Sequence, residues 1–238
     1  MRIQVISTAT HCKSVDFKNK TAVIIDVLRA SSVMTTALYN GAKAILPVTS
    51  VEEAKMVFLQ FNEDEALLCG ERDAKRIDGF HLGNSPLEYT RDKVRDKIIV
   101  LTTSNGTIAI HAAKEANELL VASFLNISSL TNYLSHKTKD LVIVCSGTNG
   151  AFSMDDGMCA GMLIALLSNN EEIHFDDLGL VLKAFYEDNE SDIYAGLRYC
   201  KHLNYLIDNS FEKDVVHCMQ VDTMNIVPKL SGKFVKIF

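Results

Sequence analysis

The sequence predicts an α/β protein of three layers, α/β/α, with a mainly parallel or mixed sheet at its centre. Two observations predict it. Short β-branched runs such as AVIIDV and LVIVC alternate with longer segments of helical periodicity, the pattern that generates strands joined by crossover helices. Those runs are apolar throughout rather than alternating, so both of their faces need cover.

In chain order, strands are expected over Arg2 to Ile6, Ala22 to Val27, Ala44 to Val48, Ala66 to Cys69, Ile98 to Thr102, Glu118 to Ala122 and Leu141 to Cys145. Between them, Ala30 to Tyr39, Val51 to Phe61, Thr107 to Lys114 and Ile127 to Leu134 carry apolar residues at helical spacing. Asp155 to Leu167 and most of Asp176 to Leu206 also read as helical, and FVKIF near the end is a candidate edge strand. Gly70 to Glu88 is the longest irregular stretch, and a long loop inside a compact domain is often functional.

With only 3 prolines and no Ser/Gly-rich stretch in 238 residues, no flexible linker is visible. One domain spanning 1–238 is expected, with two α/β halves, 1–120 and 121–238, as the alternative. The 24 Lys plus Arg against 30 Asp plus Glu leave a net charge of -6, which argues against a nucleic-acid partner. No apolar run approaches the roughly 20 residues that span a bilayer, so no membrane association is expected. The 6 scattered cysteines lack any C-x-x-C pair and suit buried free thiols in a reducing compartment. The opening MRIQVIST reads as a strand and not as a signal peptide, so the expected location is the cytoplasm.

Ligands of open α/β sheets bind at the carboxyl ends of strands, and four polar clusters fall there. In IIDVLRASS, Asp26 and Arg29 pair a carboxylate that can bind a metal with a guanidinium that can clamp phosphate; a salt bridge with capping serines explains the motif equally well. In CGERDAKRIDGFHLGNSPLEY, Glu71 ends a strand, Arg72 and Arg76 add charge, and Gly83, Asn84, Ser85 and Pro86 impose turns. In VLTTSNGTIAI, Thr102, Thr103, Ser104, Asn105, Gly106 and Thr107 open a helix, a natural anion cradle, although an N-capped helix is the plain alternative. In VIVCSGTNGAFSMDDGMCAG, Asp155 and Asp156 start a helix, either as dipole-favoured acids or as ligands of a hard cation. All four clusters are expected at one edge of the sheet. Metal, arginines and oriented amides together can stabilise a transferring phosphoryl group.

The stretches IDVLRASS, GER, GFHLGNSPLEYT, LTTSNGT, SFLN and CSGTNGAFSMDDGMCAG, in this order between Asp26 and Gly161, resemble the 2-phosphosulfolactate phosphatases, the ComB family. The resemblance implies a ComB-like α/β fold, often a homodimer, and a small anionic phosphate ester as substrate. It implies Mg²⁺-dependent conversion of 2-phospho-3-sulfolactate to 3-sulfolactate and phosphate, a step towards coenzyme M. Asp26, Arg29, Glu71 and Arg72 are the candidate catalytic residues. Asn84, Ser85, Thr103, Ser104, Asn105, Gly106 and Thr107 are the candidate substrate contacts, and Asp26, Glu71 and Asp156 the candidate Mg²⁺ ligands. Three positions depart from the pattern: Ile108 where an arginine is expected, His81 in place of an aspartate, and Asp155 in place of a glutamate. The missing arginine is what favours a non-catalytic anion-binding protein; a broader phosphatase of small phospho-hydroxyacids is the enzymatic alternative. Leu28 stands two residues after Asp26, where a two-aspartate phosphatase carries its second acid, and no cysteine heads a C-x5-R loop. Both observations argue against a phospho-enzyme made on Asp26 or on a cysteine. Of His11, His81, His111 and His217, only His81 falls in a candidate loop.

Overall fold

The apolar runs form strands wherever both faces are covered. In the structure, a computed structural model that describes residues 1–168 and 173–238, the strands are β1 (Arg2–Ile6), β2 (Thr21–Ile25), β3 (Ala44–Val48), β4 (Ala66–Arg72), β5 (Lys75–Arg76), β6 (Ile98–Thr102), β7 (Glu118–Ala122), β8 (Leu141–Cys145), β9 (His174–Phe175), β10 (Pro228–Ser231) and β11 (Phe234–Ile237). The helices are α1 (Ala30–Tyr39), α2 (Val51–Phe58), α3 (Arg91–Val94), α4 (Gly106–Ala112), α5 (Ile127–Ser135), α6 (Met154–Leu167), α7 (Asp177–Glu187), α8 (Ile193–Gly196), α9 (Lys201–Asp208) and α10 (Glu212–Cys218). Every residue of β2, β3, β7 and β8 is buried.

The layers follow from the period of two along each strand. Val23, Ile25, Leu120, Ala122, Ile143 and Cys145 face a core shared with α5, α6, α9 and α10. Their alternates Ala22, Ile24, Leu119, Val121, Val142 and Val144 face a second core with α1 and α4. A smaller core under α2 joins Leu46, Val48, Ala54, Leu68 and Val100. The chain is a three-layer α/β/α protein on a mixed sheet.

The strand order is β5-β4-β6-β3-β11-β10-β7-β2-β8-β1-β9. It contains two parallel blocks, β4-β6-β3 and β7-β2-β8-β1. The antiparallel hairpin β10–β11 lies between them and pairs antiparallel with β7 on one side and with β3 on the other. FVKIF is therefore an interior strand and not an edge. Its place in the sheet follows from its pairing, with Val235 fully buried opposite Ile45. Three successive antiparallel pairings also set the two blocks running in opposite directions, so the four polar clusters do not share one edge of the sheet. They meet because α4, which follows β6, packs against β2 and α1. Nor does the sheet divide at residue 120, because β1 and β2 pair with β8 and β7.

Helix boundaries follow local chemistry. The Ser50 hydroxyl accepts the Glu53 N–H at 3.0 Å and the Glu53 carboxylate accepts the Thr49 N–H at 2.9 Å, closing the first turn of α2. Helix α6 lies so close to α7 that a Cβ on Gly161 would sit 2.1 Å from the Leu182 carbonyl oxygen. Gly161→Ala should therefore push the two helices apart and destabilise the protein by about 1–3 kcal/mol, the usual range for overpacking. Urea denaturation monitored by circular dichroism measures it, and an unchanged midpoint would show that the helices separate freely.

Candidate active site

Asp26 is the first residue past β2, and its backbone and side chain build the turn into α1. Its amide N–H donates to Ser31 Oγ at 3.1 Å, its carbonyl accepts the Ser31 N–H at 2.9 Å, and its Oδ1 accepts the Ala30 N–H at 3.2 Å. Ser32 donates to the Val27 carbonyl at 2.8 Å, so both serines brace the turn and neither caps α1 from outside. Burial pushes the Asp26 carboxyl up to about 6; the pull of His202 and of the Ala30 amide is opposed by the negative charges of Asp155 and Glu71.

Arg29 is buried, and three groups fix its guanidinium. Nη1 donates to Asp214 Oδ2 at 3.0 Å, Nη2 donates to the Ala74 carbonyl at 2.8 Å, and the plane lies 4.3 Å from the centre of the Phe211 ring. Arg29 is thus salt-bridged, but to Asp214 and not to Asp26 as the alternative reading of the motif had it. Ser85 belongs to the same cluster, donating to Asp214 Oδ1 at 2.6 Å.

Glu71, near the end of β4, is buried and ties two loops together: Oε1 accepts the Ser104 N–H at 2.8 Å and Oε2 the Ala74 N–H at 3.0 Å. Arg72 turns back onto the strands, donating to the Glu71 carbonyl at 2.6 Å and to Thr102 Oγ1 at 3.0 Å. The loop that follows is partly ordered by strand-like bonds. His81 accepts the Leu68 N–H on its Nδ1 at 2.9 Å, which makes it a fastener of this loop. Asn84 is buried, and its Oδ1 has no hydrogen-bond partner among the described residues.

The turn after β6 is closed largely on itself. Thr103 and Thr107 exchange hydrogen bonds, each N–H donating to the other's Oγ1 at 3.1 Å, while the Ser104 N–H serves Glu71. Of the turn's remaining amides only that of Asn105 belongs to a residue on the cleft wall, a narrower cradle than the motif suggested. Gly106 is where the blocks meet: a Cβ there would lie 2.7 Å from both Asp26 Oδ2 and the Ala30 Cβ.

Asp156 joins strand ends. Its Oδ1 accepts the Val27 N–H and its Oδ2 the Gly147 N–H, each at 2.9 Å, which ties the turn after β2 to the turn after β8. Asp155 points elsewhere. Fully buried, it accepts from the Ser153 hydroxyl and from Cys200 Sγ at 3.5 Å, and its Oδ2 lies 3.3 Å from His202 Nδ1. Burial alone would raise the Asp155 carboxyl, yet His202 and Ser153 hold it below its ordinary range. Burial alone would lower the His202 imidazole, yet Asp155 and the charge of Asp26 raise it.

These residues surround one cleft of about 620 Å³. Of the expected residues, Asp26, Arg29, Glu71 and Asn84 line it on one side and Thr103, Ser104 and Asn105 beside them. Arg72, Ser85, Gly106, Thr107 and Asp156 do not line it and act from behind, through the contacts given above. Ile108 is 43% exposed and also lies off the cleft wall. His202, Lys201, Tyr199 and Phe152 complete the walls, and none of them stood out in the sequence. His202 and Asp214 lie on α9 and α10, where one polar residue per turn is ordinary; no local signal marks them. Among the described residues, no set of three acids, histidines or cysteines is arranged to hold a metal. The expected ligand set is incomplete because Asp156 does not line the cleft; Asp26 and Glu71 do, and their carboxylate oxygens keep lone pairs beyond the amides they accept. Two carboxylates with water and a substrate phosphate satisfy Mg²⁺. The Asp26 carboxyl is raised there by burial first, and after it by the neighbouring charges of Asp155 and Glu71. Cys145 takes no part, because burial, with the nearby Asp156, holds its thiol far above the reactive range.

The model of the 2-phosphosulpholactate phosphatase family matches residues 6–233. A probable 2-phosphosulfolactate phosphatase of Caldanaerobacter subterraneus subsp. tengcongensis is 42% identical over 236 residues, which cover 99% of this chain and 98% of that protein. One from Clostridium perfringens strain SM101 is 44% identical over 229 residues, covering 95% and 92%. Another, from Thermotoga maritima, is 41% identical over 217 residues, covering 91% and 92%. The chain belongs to the 2-phosphosulpholactate phosphatase family and is a phosphoric monoester hydrolase.

Proposed function

We propose that this protein hydrolyses 2-phospho-3-sulfolactate to 3-sulfolactate and inorganic phosphate with Mg²⁺, a step towards coenzyme M. One observation carries most of the weight: buried Asp26 and Glu71 share a cleft with Arg29, in a chain whose relatives bear that name. A cytoplasmic homodimer without a nucleic-acid partner completes the proposal; the net charge of -6 supports its last part.

Asp26 and Glu71 would hold the cation, which when bound supplies Lewis acidity to a phosphate oxygen. Arg29 meets the phosphoryl group with the N–H donors left over from Asp214 and Ala74. Because Asp214 and Phe211 already fix its plane, little rotamer entropy is lost on binding. The Asn84 carboxamide, with no partner for its oxygen among the described residues, and the amide of Asn105 offer neutral contacts to the ester. Lys201 adds a cation for the carboxylate or sulfonate end. Water attacks phosphorus in line with the ester oxygen. A broader phosphatase of small phospho-hydroxyacids is favoured by the size of the cleft, about 620 Å³, which is roomy for a three-carbon ester.

Four outcomes are expected. Purified protein should release phosphate from racemic 2-phospho-3-sulfolactate with Mg²⁺ and lose that activity in EDTA; faster release from other phospho-hydroxyacids in a panel would favour the broader enzyme. Asp26→Asn should abolish turnover with the circular dichroism spectrum unchanged, and retained Mg²⁺-dependent activity would sink the assignment. The same variant should gain stability in EDTA. The Asp26 carboxyl is raised from 3.8 to about 6, so the folded state holds a proton that the unfolded state has lost between those values. Stability then falls as pH rises through this window, by about 3 kcal/mol at roughly 1.4 kcal/mol per pH unit. Asp26→Asn should exceed wild type in urea at pH 7.5 and converge with it below the window. A variant weaker than wild type at pH 7.5 would mean that the charged form is welcome there. Finally, Asp214→Asn should loosen Arg29 and raise KM about tenfold, one charge-assisted hydrogen bond, which steady-state kinetics measures.

A further inference from the structure

We propose that His202 delivers the proton to the leaving oxygen of the phosphate ester, oriented for that task by the buried carboxylate of Asp155. The inference rests on the phosphatase reading above and adds to it a residue that no sequence motif marked.

The geometry is that of a held imidazole with one free nitrogen. Helix α9 brings His202 to the cleft wall with its side chain 15% exposed. Its Nδ1 faces Asp155 Oδ2 at 3.3 Å, which leaves Nε2 to carry the exchangeable proton, and Nε2 has no hydrogen-bond partner among the described residues. Asp155 is locked by Ser153 and Cys200, so the pair cannot rotate freely. A purely structural ion pair between α6 and α9 would account for the Asp155 contact. It would not account for an imidazole on the wall of the cleft with its second nitrogen unused.

The other cleft residues are poorly suited to the task. Glu71 has both oxygens on backbone amides, Asp26 is placed for the cation, and the guanidinium of Arg29 does not give up a proton. Burial would lower the imidazole, and the hydrogen bond and charge of Asp155 raise it above its ordinary range.

In the step, the oxygen of the attacking water bonds to phosphorus as the ester P–O bond breaks, its electron pair passing to the C2 oxygen. That oxygen takes the Nε2 proton and leaves as the hydroxyl of the 2-hydroxy acid. The proton given up by the attacking water returns the imidazole to its charged form, so that water and ester become alcohol and hydrogen phosphate.

Leaving-group dependence tests the proposal. His202→Asn keeps a donor to Asp155 but has no proton to give. It should lower kcat on the alkyl ester about 10²–10⁴-fold at nearly constant KM, and lower turnover of p-nitrophenyl phosphate, whose leaving group needs no proton, by less than about tenfold. In His202→Ala, added imidazole should restore part of the turnover of the alkyl ester. Unchanged kcat in His202→Asn would overturn the proposal, and so would equal losses on both esters with no rescue by imidazole. If wild type ignores the aryl ester, rescue alone decides. If wild type spares phosphosulfolactate but hydrolyses another alkyl phosphate of the panel, the substrate assignment fails and the test of His202 is run on that ester. No turnover of any phosphate ester would overturn both.

Discussion

The contact between Gly106 and Asp26 is the constraint on which the site depends. Two parallel blocks of strands run in opposite directions, and the cleft exists only because the turn after β6 is pressed against the turn after β2. A hydrogen atom in place of a side chain at residue 106 is what permits this approach, with Asp26 Oδ2 and the Ala30 methyl occupying the space a Cβ would need. Glu71 reinforces the junction from the side by gripping the Ser104 and Ala74 amides, and Asp156 binds the turn after β2 to the turn after β8. Much of the chemistry in this region is thus carboxylate on backbone amide. The cleft concentrates acids that are already partly engaged, which explains how so many can be buried in one place.

Much of the fold was legible because its strands are covered on both faces. Continuous apolar runs such as AILPV and LVIVC have no other stable use in a chain of this size, and their limits in the structure match those read from the residues. What the sequence concealed was direction. Nothing in PKLS or FVKI announces that this hairpin inverts the sheet, because each strand touches its outer neighbour through a single registered pair. A short amphipathic strand in the interior then looks like one at the edge.

The site was legible to the extent that it is built from strand ends. Asp26, Glu71, Asn84 and the Thr103 turn were marked by their position after apolar runs, and all reach the cleft. Arg72 and Asp156 carried the same mark but have been drawn into bracing, since a polar side chain at a strand end can face the ligand or the neighbouring turn and local sequence does not distinguish the two. His202 and Asp214 had no mark at all. Their partners, Asp155 and Arg29, are 47 and 185 residues away in the chain, so their significance exists only after folding. Even the departure at Asp155 makes sense in these terms, as the carboxylate paired with His202 rather than a weakened copy of another acid.

The central hairpin has a consequence for the order in which the molecule assembles. Residues 228–237 follow every other strand in the chain, yet they occupy the middle of the sheet. The blocks β4-β6-β3 and β7-β2-β8-β1 can each form from earlier segments, but the backbone edges of β3 and β7 stay open until the hairpin arrives to fill the gap. Joining the two blocks through this hairpin therefore needs contacts of long sequence separation, Val235 with Ile45 and Lys229 with Leu120, and contacts of that kind slow folding.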